Sequence, residues 1–133
     1  MDREILFRGK RVDNGKWVYG CYVNCHGPGC RINETRHYIM EYPNAWHKFY
    51  TATLGQYTGL KDRNGKRIFE GDILSFTDSD EDQVLYTALW RDHRWMVQEH
   101  DEFPTDQDDL DELFSEYAEV IGNIHDNPEL LRA

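Results

Sequence analysis

Residues 56–76 read Gln56-Tyr-Thr-Gly-Leu-Lys-Asp-Arg-Asn-Gly-Lys-Arg-Ile-Phe-Glu-Gly-Asp-Ile-Leu-Ser-Phe76. Turn signals fall at Gly59, Asn64-Gly65 and Gly71. Asn-Gly favours the positive φ angles of a tight turn, and glycine supplies them at the other two positions. The stretch therefore reads as turn, polar tip, turn, then a buried strand over Ile73–Phe76. A chain with turns at this spacing builds short antiparallel strands.

The same grammar continues outward. Segment 3–12 reads as a strand, followed by Asp13-Asn14-Gly15 and a second strand near 16–23. This is a hairpin, with Trp17, Tyr19 and Cys21 on one face and Val18, Gly20 and Tyr22 on the other. Residues 24–33 hold Asn24, Gly27, Pro28, Gly29 and Asn33 and read as a loop. Arg36–Glu41 is a short strand that stops near Pro43. Segment 46–57 is aromatic and β-branched, interrupted by Gly55. Asp78–Asp82 is an acidic loop. Gln83–Arg91 and Arg94–Glu99 form another hairpin around Asp92-His93, with Val84, Tyr86, Ala88 and Trp90 on one face.

The pattern changes near the C-terminus. Leu110, Leu113, Phe114 and Tyr117 recur at i, i+3, i+4 and i+7, the stripe of an amphipathic helix. The helix is expected within about 105–117, capped by Thr105 or Asp106. The whole stripe is expected to pack on the β core, leaving Asp108, Asp109, Asp111, Glu112 and Glu116 outward. Glu119–Ile124 is a final strand, and the tail at 126–131 forms one turn. The expected fold is mainly β, a small barrel-like or sandwich arrangement of short antiparallel strands with one short helix. A length of 133 residues makes it a single domain over 1–133.

Composition narrows the function classes. Fifteen basic side chains against 25 acidic ones give a net charge of −10. That balance opposes bulk electrostatic binding to DNA or anionic membranes. No apolar run is long enough for a membrane span. Met1-Asp2-Arg3-Glu4 lacks the basic-then-apolar pattern of a signal peptide. No glycine-rich phosphate-binding motif is present, and no cofactor is expected.

Four local groups carry candidate chemistry. Cys21, Cys25, His26 and Cys30 offer possible zinc ligands, but their spacing lacks the usual two-residue knuckle, so no bound zinc is expected. Glu70 and Asp72 flank Gly71 and form the most localised carboxylate pair. They would share a cation or act as acid and base in a metal-dependent enzyme. The simpler reading is that they close the turn before Ile73 and cap nearby N–H groups. Lys61, Arg63, Lys66 and Arg67, with Tyr57, would meet phosphates in a nucleic-acid-binding module; a solvated hairpin tip explains them as well. Finally, Asp108, Asp109 and Glu112 would present negative potential to a basic partner surface, such as a host nucleic-acid-binding protein, or simply keep the helix solvated.

Three blocks together point to a family. Glu4-Ile-Leu-Phe-Arg8, the 56–74 stretch, and Val120-Ile-Gly-Asn-Ile-His-Asp-Asn-Pro-Glu-Leu-Leu131 resemble the YopX-like proteins of temperate phages and prophages. They span nearly the full length in order. The resemblance implies a mainly β, partly barrel-like fold and a bacterial cytoplasmic setting. It brings no biochemical activity with it. The Cys21–Cys30 segment and the acidic 101–112 stretch lie outside the resemblance. The leading expectation is a noncatalytic phage accessory protein that binds a host or phage protein. A nucleic-acid-binding module and a Glu70/Asp72 enzyme stand as alternatives. Aromatic strands at 36–41 and 46–53 raise the further expectation of a homo-oligomer.

Overall fold

The structure, a computed structural model, describes residues 4–25, 36–77, 79–100 and 107–131. Its strands form two antiparallel sheets of six and five strands, and neither closes into a barrel. The chain gathers into two compact units, Met1–Gln56 and Tyr57–Ala133.

In the first unit, β1 (Phe7–Lys10) and β2 (Trp17–Cys25) form the hairpin expected from Asp13-Asn14-Gly15. Gly15 takes φ 67° and its N–H donates to the Arg11 carbonyl at 2.9 Å. Arg11 donates to both Asp13 oxygens, at 2.9 and 2.6 Å, which holds the Asp13 carboxyl below its usual range. β3 (Arg36–Glu41) pairs with β2, and β4 (Ala45–Lys48) pairs with β3. A single 3-10 turn at Thr51–Thr53 leads into β5 (Gly55–Lys61), whose first residues pair with β1. Alternation along β2 turns Val18 inward. It packs with Ile39 and Phe49, and Phe7, Tyr22 and Leu54 border the cluster. Gly20 is required by close approach, since a Cβ there would overlap the Met40 carbonyl oxygen.

In the second unit, the later part of β5 pairs with β6 (Arg67–Phe69). Gly59, at φ 89°, lies where the register shifts, so this turn signal produces an irregularity inside a strand. Asn64-Gly65 forms the hairpin tip and Gly71, at φ 89°, the turn into β7 (Asp72–Thr77). β8 (Gln83–Arg91) and β9 (Arg94–Glu99) follow, joined by Asp92 and His93 at φ 55° and 65°. Trp90 and Trp95 face each other across this hairpin with ring centroids 5.0 Å apart. The sheet is completed by β10 (Gln107–Asp109) at one edge and β11 (Glu119–Asn123) at the other. Its core holds Ile68, Leu74, Ala88, Val97, Leu110 and Ala118.

The tip of the β5–β6 hairpin is fastened by one side chain. Asp62, 6% exposed, accepts from the Asn64 and Lys66 amides through Oδ1, both at 2.9 Å. Its Oδ2 accepts from the Val120 amide on β11 at 2.9 Å. The neighbouring Arg63 N–H donates to the Ala118 carbonyl at 2.9 Å.

The C-terminal helix corrects the sequence expectation in detail. Helix α1 covers Glu112–Tyr117 only, and its cap is Asp111, whose carboxylate accepts from the Phe114 amide at 2.8 Å. Thr105 and Asp106 lie outside the described residues. Asp108 and Asp109 belong to β10, where they pair with Val97 and Met96. Leu110 is buried, but ahead of the helix. Phe114, Ser115 and Ala118 turn inward, while Leu113 and Tyr117 are 67% and 59% exposed. Six residues make under two turns, so the strand-to-helix junction, and not the helical period, decides which side chains reach the sheet.

Two predictions follow from this packing. Asp62→Ala leaves three amides without their acceptor and lowers unfolding free energy by roughly 2–4 kcal/mol, measured by urea denaturation. The second concerns His100, whose pKa burial pushes below the ordinary 6.5. Its ring Nε2 lies 2.6 Å from the Thr87 hydroxyl. Below about pH 6.5 the unfolded chain binds this proton more readily than the folded one, so acidification costs stability. The melting temperature is expected to fall between pH 7.5 and 5.5, and to fall less in His100→Asn.

Candidate functional site

An open groove of about 490 Å³ lies beside α1 in the second unit. It is lined by Phe76, Asp108, Asp109, Asp111, Leu113, Phe114 and Tyr117. Phe76 reaches it from β7 and stacks on Phe114 with ring centroids 5.1 Å apart. Tyr86 meets the edge of Phe114 at 5.0 Å. These three rings fix the floor, because each restricts the others. Leu113 and Tyr117 project from α1 with most of their surface in solvent.

Carboxylates form the rim. Asp109 accepts from Arg94 Nε at 2.8 Å, with both side chains exposed. Asp111 uses one oxygen to cap α1. Asp108 is exposed, and its carboxylate has no hydrogen bond or ion pair to a described residue; Glu112 is exposed too but does not line the groove. The site combines an aromatic floor, two exposed apolar side chains and uncommitted negative charge. Sequence reasoning named Asp108, Asp109 and Glu112. It missed Phe76, whose strand position carried no sign of a helix above it, and it buried Leu113 and Tyr117.

The other expected site residues are placed as follows. Asp72 is 2% exposed, and its Oδ2 accepts from the Phe69 amide at 2.7 Å, so it closes the turn at Gly71. Glu70 is half-buried and engaged. Among the described residues no three His, Cys, Asp or Glu side chains gather as metal ligands. Arg63 donates to Glu119 at 2.8 Å, and Arg67 lies 5.8 Å from the Tyr57 ring centroid. Tyr57 itself is 5% exposed and packs on Phe69. It is a core residue, with no open face for a base. Lys61 and Lys66 are exposed at the hairpin tip. Cys21 is exposed on β2. His26, Cys30 and the Cys25 side chain lie outside the described residues. No helix among them is long and apolar enough to cross a membrane.

The fold and groove define a mainly β protein of two open antiparallel sheets that carries a solvent-facing aromatic recess. The YopX protein family matches residues 6–132, and the chain belongs to that family. The crystal structure of protein EF1440 from Enterococcus faecalis is similar in fold, with a TM-score of 0.55 and 23% identity. The match covers 98% of this chain and 100% of that one. None of the curated proteins matches.

The floor and the exposed pair separate under mutation. Phe114→Ala removes a half-buried ring from a three-ring cluster and costs about 2–3 kcal/mol, near the low end for core phenylalanines. Leu113→Ser with Tyr117→Ser changes stability by less than about 1 kcal/mol, since both are exposed. Chemical denaturation of the two variants checks both values.

Proposed function

We propose that this chain is a noncatalytic protein-interaction module, a phage or prophage accessory protein acting in the bacterial cytoplasm, and that its partner docks on the groove beside α1. One observation carries the reading. Leu113 and Tyr117 stand exposed on the lip of an aromatic floor, within a few residues of each other on one short helix. Large apolar side chains grouped beside a recess in this way mark interaction surfaces more often than scattered ones do. The rim charge adds to this, because uncommitted carboxylates at the edge of an apolar patch steer encounter and select among partners.

The nucleic-acid reading draws less support. Two of its four basic residues are held by Glu119 and Tyr57 within the second unit. The metal-enzyme reading draws less as well, with the Asp72 carboxylate turned to the Phe69 amide.

Affinity capture from a bacterial lysate, with bound proteins identified by mass spectrometry, tests the proposal. Wild type is expected to retain a defined protein that Leu113→Ser/Tyr117→Ser loses while remaining folded. Recovery of the same proteins by both chains would remove the groove from the account.

A further inference from the structure

We infer that the groove accepts a short cationic and apolar segment of a partner protein, one that sets an aliphatic or aromatic side chain on the Phe76–Phe114 floor and an arginine or lysine against the rim. The inference rests on the interaction reading above and adds the chemistry of the occupant. The volume of about 490 Å³ falls within the roughly 300–1,000 Å³ typical of clefts that bury small ligands. That is room for side chains of one short segment and too little for a domain face.

Charge decides among occupants. The rim already recruits one guanidinium from its own chain, since Arg94 Nε meets Asp109 Oδ1 at 2.8 Å. Asp108 offers the same chemistry with no described residue using it. On β10, Asp108 shares its side of the sheet with Val97, the side on which Phe114 and Leu110 also pack. A cation held there therefore sits at the edge of an apolar surface, where solvent screening is weaker than around an isolated surface charge. A second copy brings a net charge of −10. That copy is repelled by the rim that attracts an arginine-bearing partner.

Fluorescence anisotropy with defined peptides tests this on the full chain. The probe is a short fluorescein-labelled peptide of alternating leucine and arginine. One companion has arginine replaced by glutamate, and another has leucine replaced by serine. Wild type is expected to bind the first and neither companion. Asp108→Asn/Asp109→Asn weakens binding roughly threefold to tenfold at low salt. Leu113→Ser/Tyr117→Ser weakens it about tenfold or more. Asp92→Asn/Glu129→Gln removes the same charge outside the groove and is expected to leave binding within about twofold. The charge effect shrinks as salt rises from about 0.01 M to about 1 M, where the Debye length falls from about 30 Å to about 3 Å.

Equal losses in the rim and control variants would reduce the effect to net charge and overturn the inference. So would binding of the arginine–serine peptide as tight as that of the leucine–arginine peptide. A dimer seen by light scattering and lost in Leu113→Ser/Tyr117→Ser would assign the groove to a second copy instead. If Phe103→Ser is what opens the groove to the peptide, its own preceding segment is the occupant. Failure with the peptides, combined with groove-dependent capture of an identified protein, would overturn the occupant's chemistry and leave the interaction reading standing. Loss of that capture dependence would overturn the interaction reading itself.

Discussion

The second unit depends on what the Asp62 carboxylate does. It is nearly buried, and three backbone amides point at it. Two of them come from the hairpin tip that follows it, and the third comes from Val120, 58 residues away. A buried carboxylate is costly unless hydrogen bonds replace its water, and amide donors at this length do so. The same contact fixes the strand that follows α1. Arg63 strengthens it twice, by its amide to Ala118 and by its guanidinium to Glu119. The tip of the β5–β6 hairpin thus positions the end of the helix.

The groove follows from that placement. With Ala118 pinned and fully buried, and Asp111 capping the other end, α1 has little freedom to rotate. Its inward side carries Phe114 and Ser115, which leaves Leu113 and Tyr117 outside. Phe114 meets Phe76 and Tyr86 in a stack and an edge contact, geometries that aromatic quadrupoles favour. The recess is the space left between this rigid ring cluster and an edge strand rich in aspartate. Membership in the YopX family and the likeness to the Enterococcus protein concern the fold.

Much of the fold was legible in the sequence because local rules governed it. Asn14-Gly15, Asn64-Gly65 and Asp92-His93 each sit where two strands turn, with positive φ at Gly15, Gly65, Asp92 and His93. Alternation holds along β2, with Val18 buried and Tyr19 and Cys21 exposed, whereas on β8 neighbouring Thr87 and Ala88 are both buried and Trp90 is exposed. Glu70 and Asp72 looked like paired acids in one dimension, and turn chemistry was the simpler reading. The hydrogen bond from the Phe69 amide to Asp72 agrees with that reading. Open sheet edges took the place of a closed barrel, since closure depends on pairing between strands far apart in sequence.

The acidic C-terminal stretch shows where local rules stop. The sequence alone determined that a short amphipathic helix would lie in this acidic stretch, because the 3.6-residue period and the charge pattern are written in neighbouring residues. Only the tertiary structure decided that Asp108 and Asp109 would join the edge of a sheet beside Met96 and Val97. It also decided that Phe114, and not Leu113 or Tyr117, would meet the core. An apolar period names a set of candidate core residues, but burial requires a partner surface. That surface came from Phe76, Tyr86 and Leu110, assembled by strand pairing and by the distant contact between Asp62 and Val120.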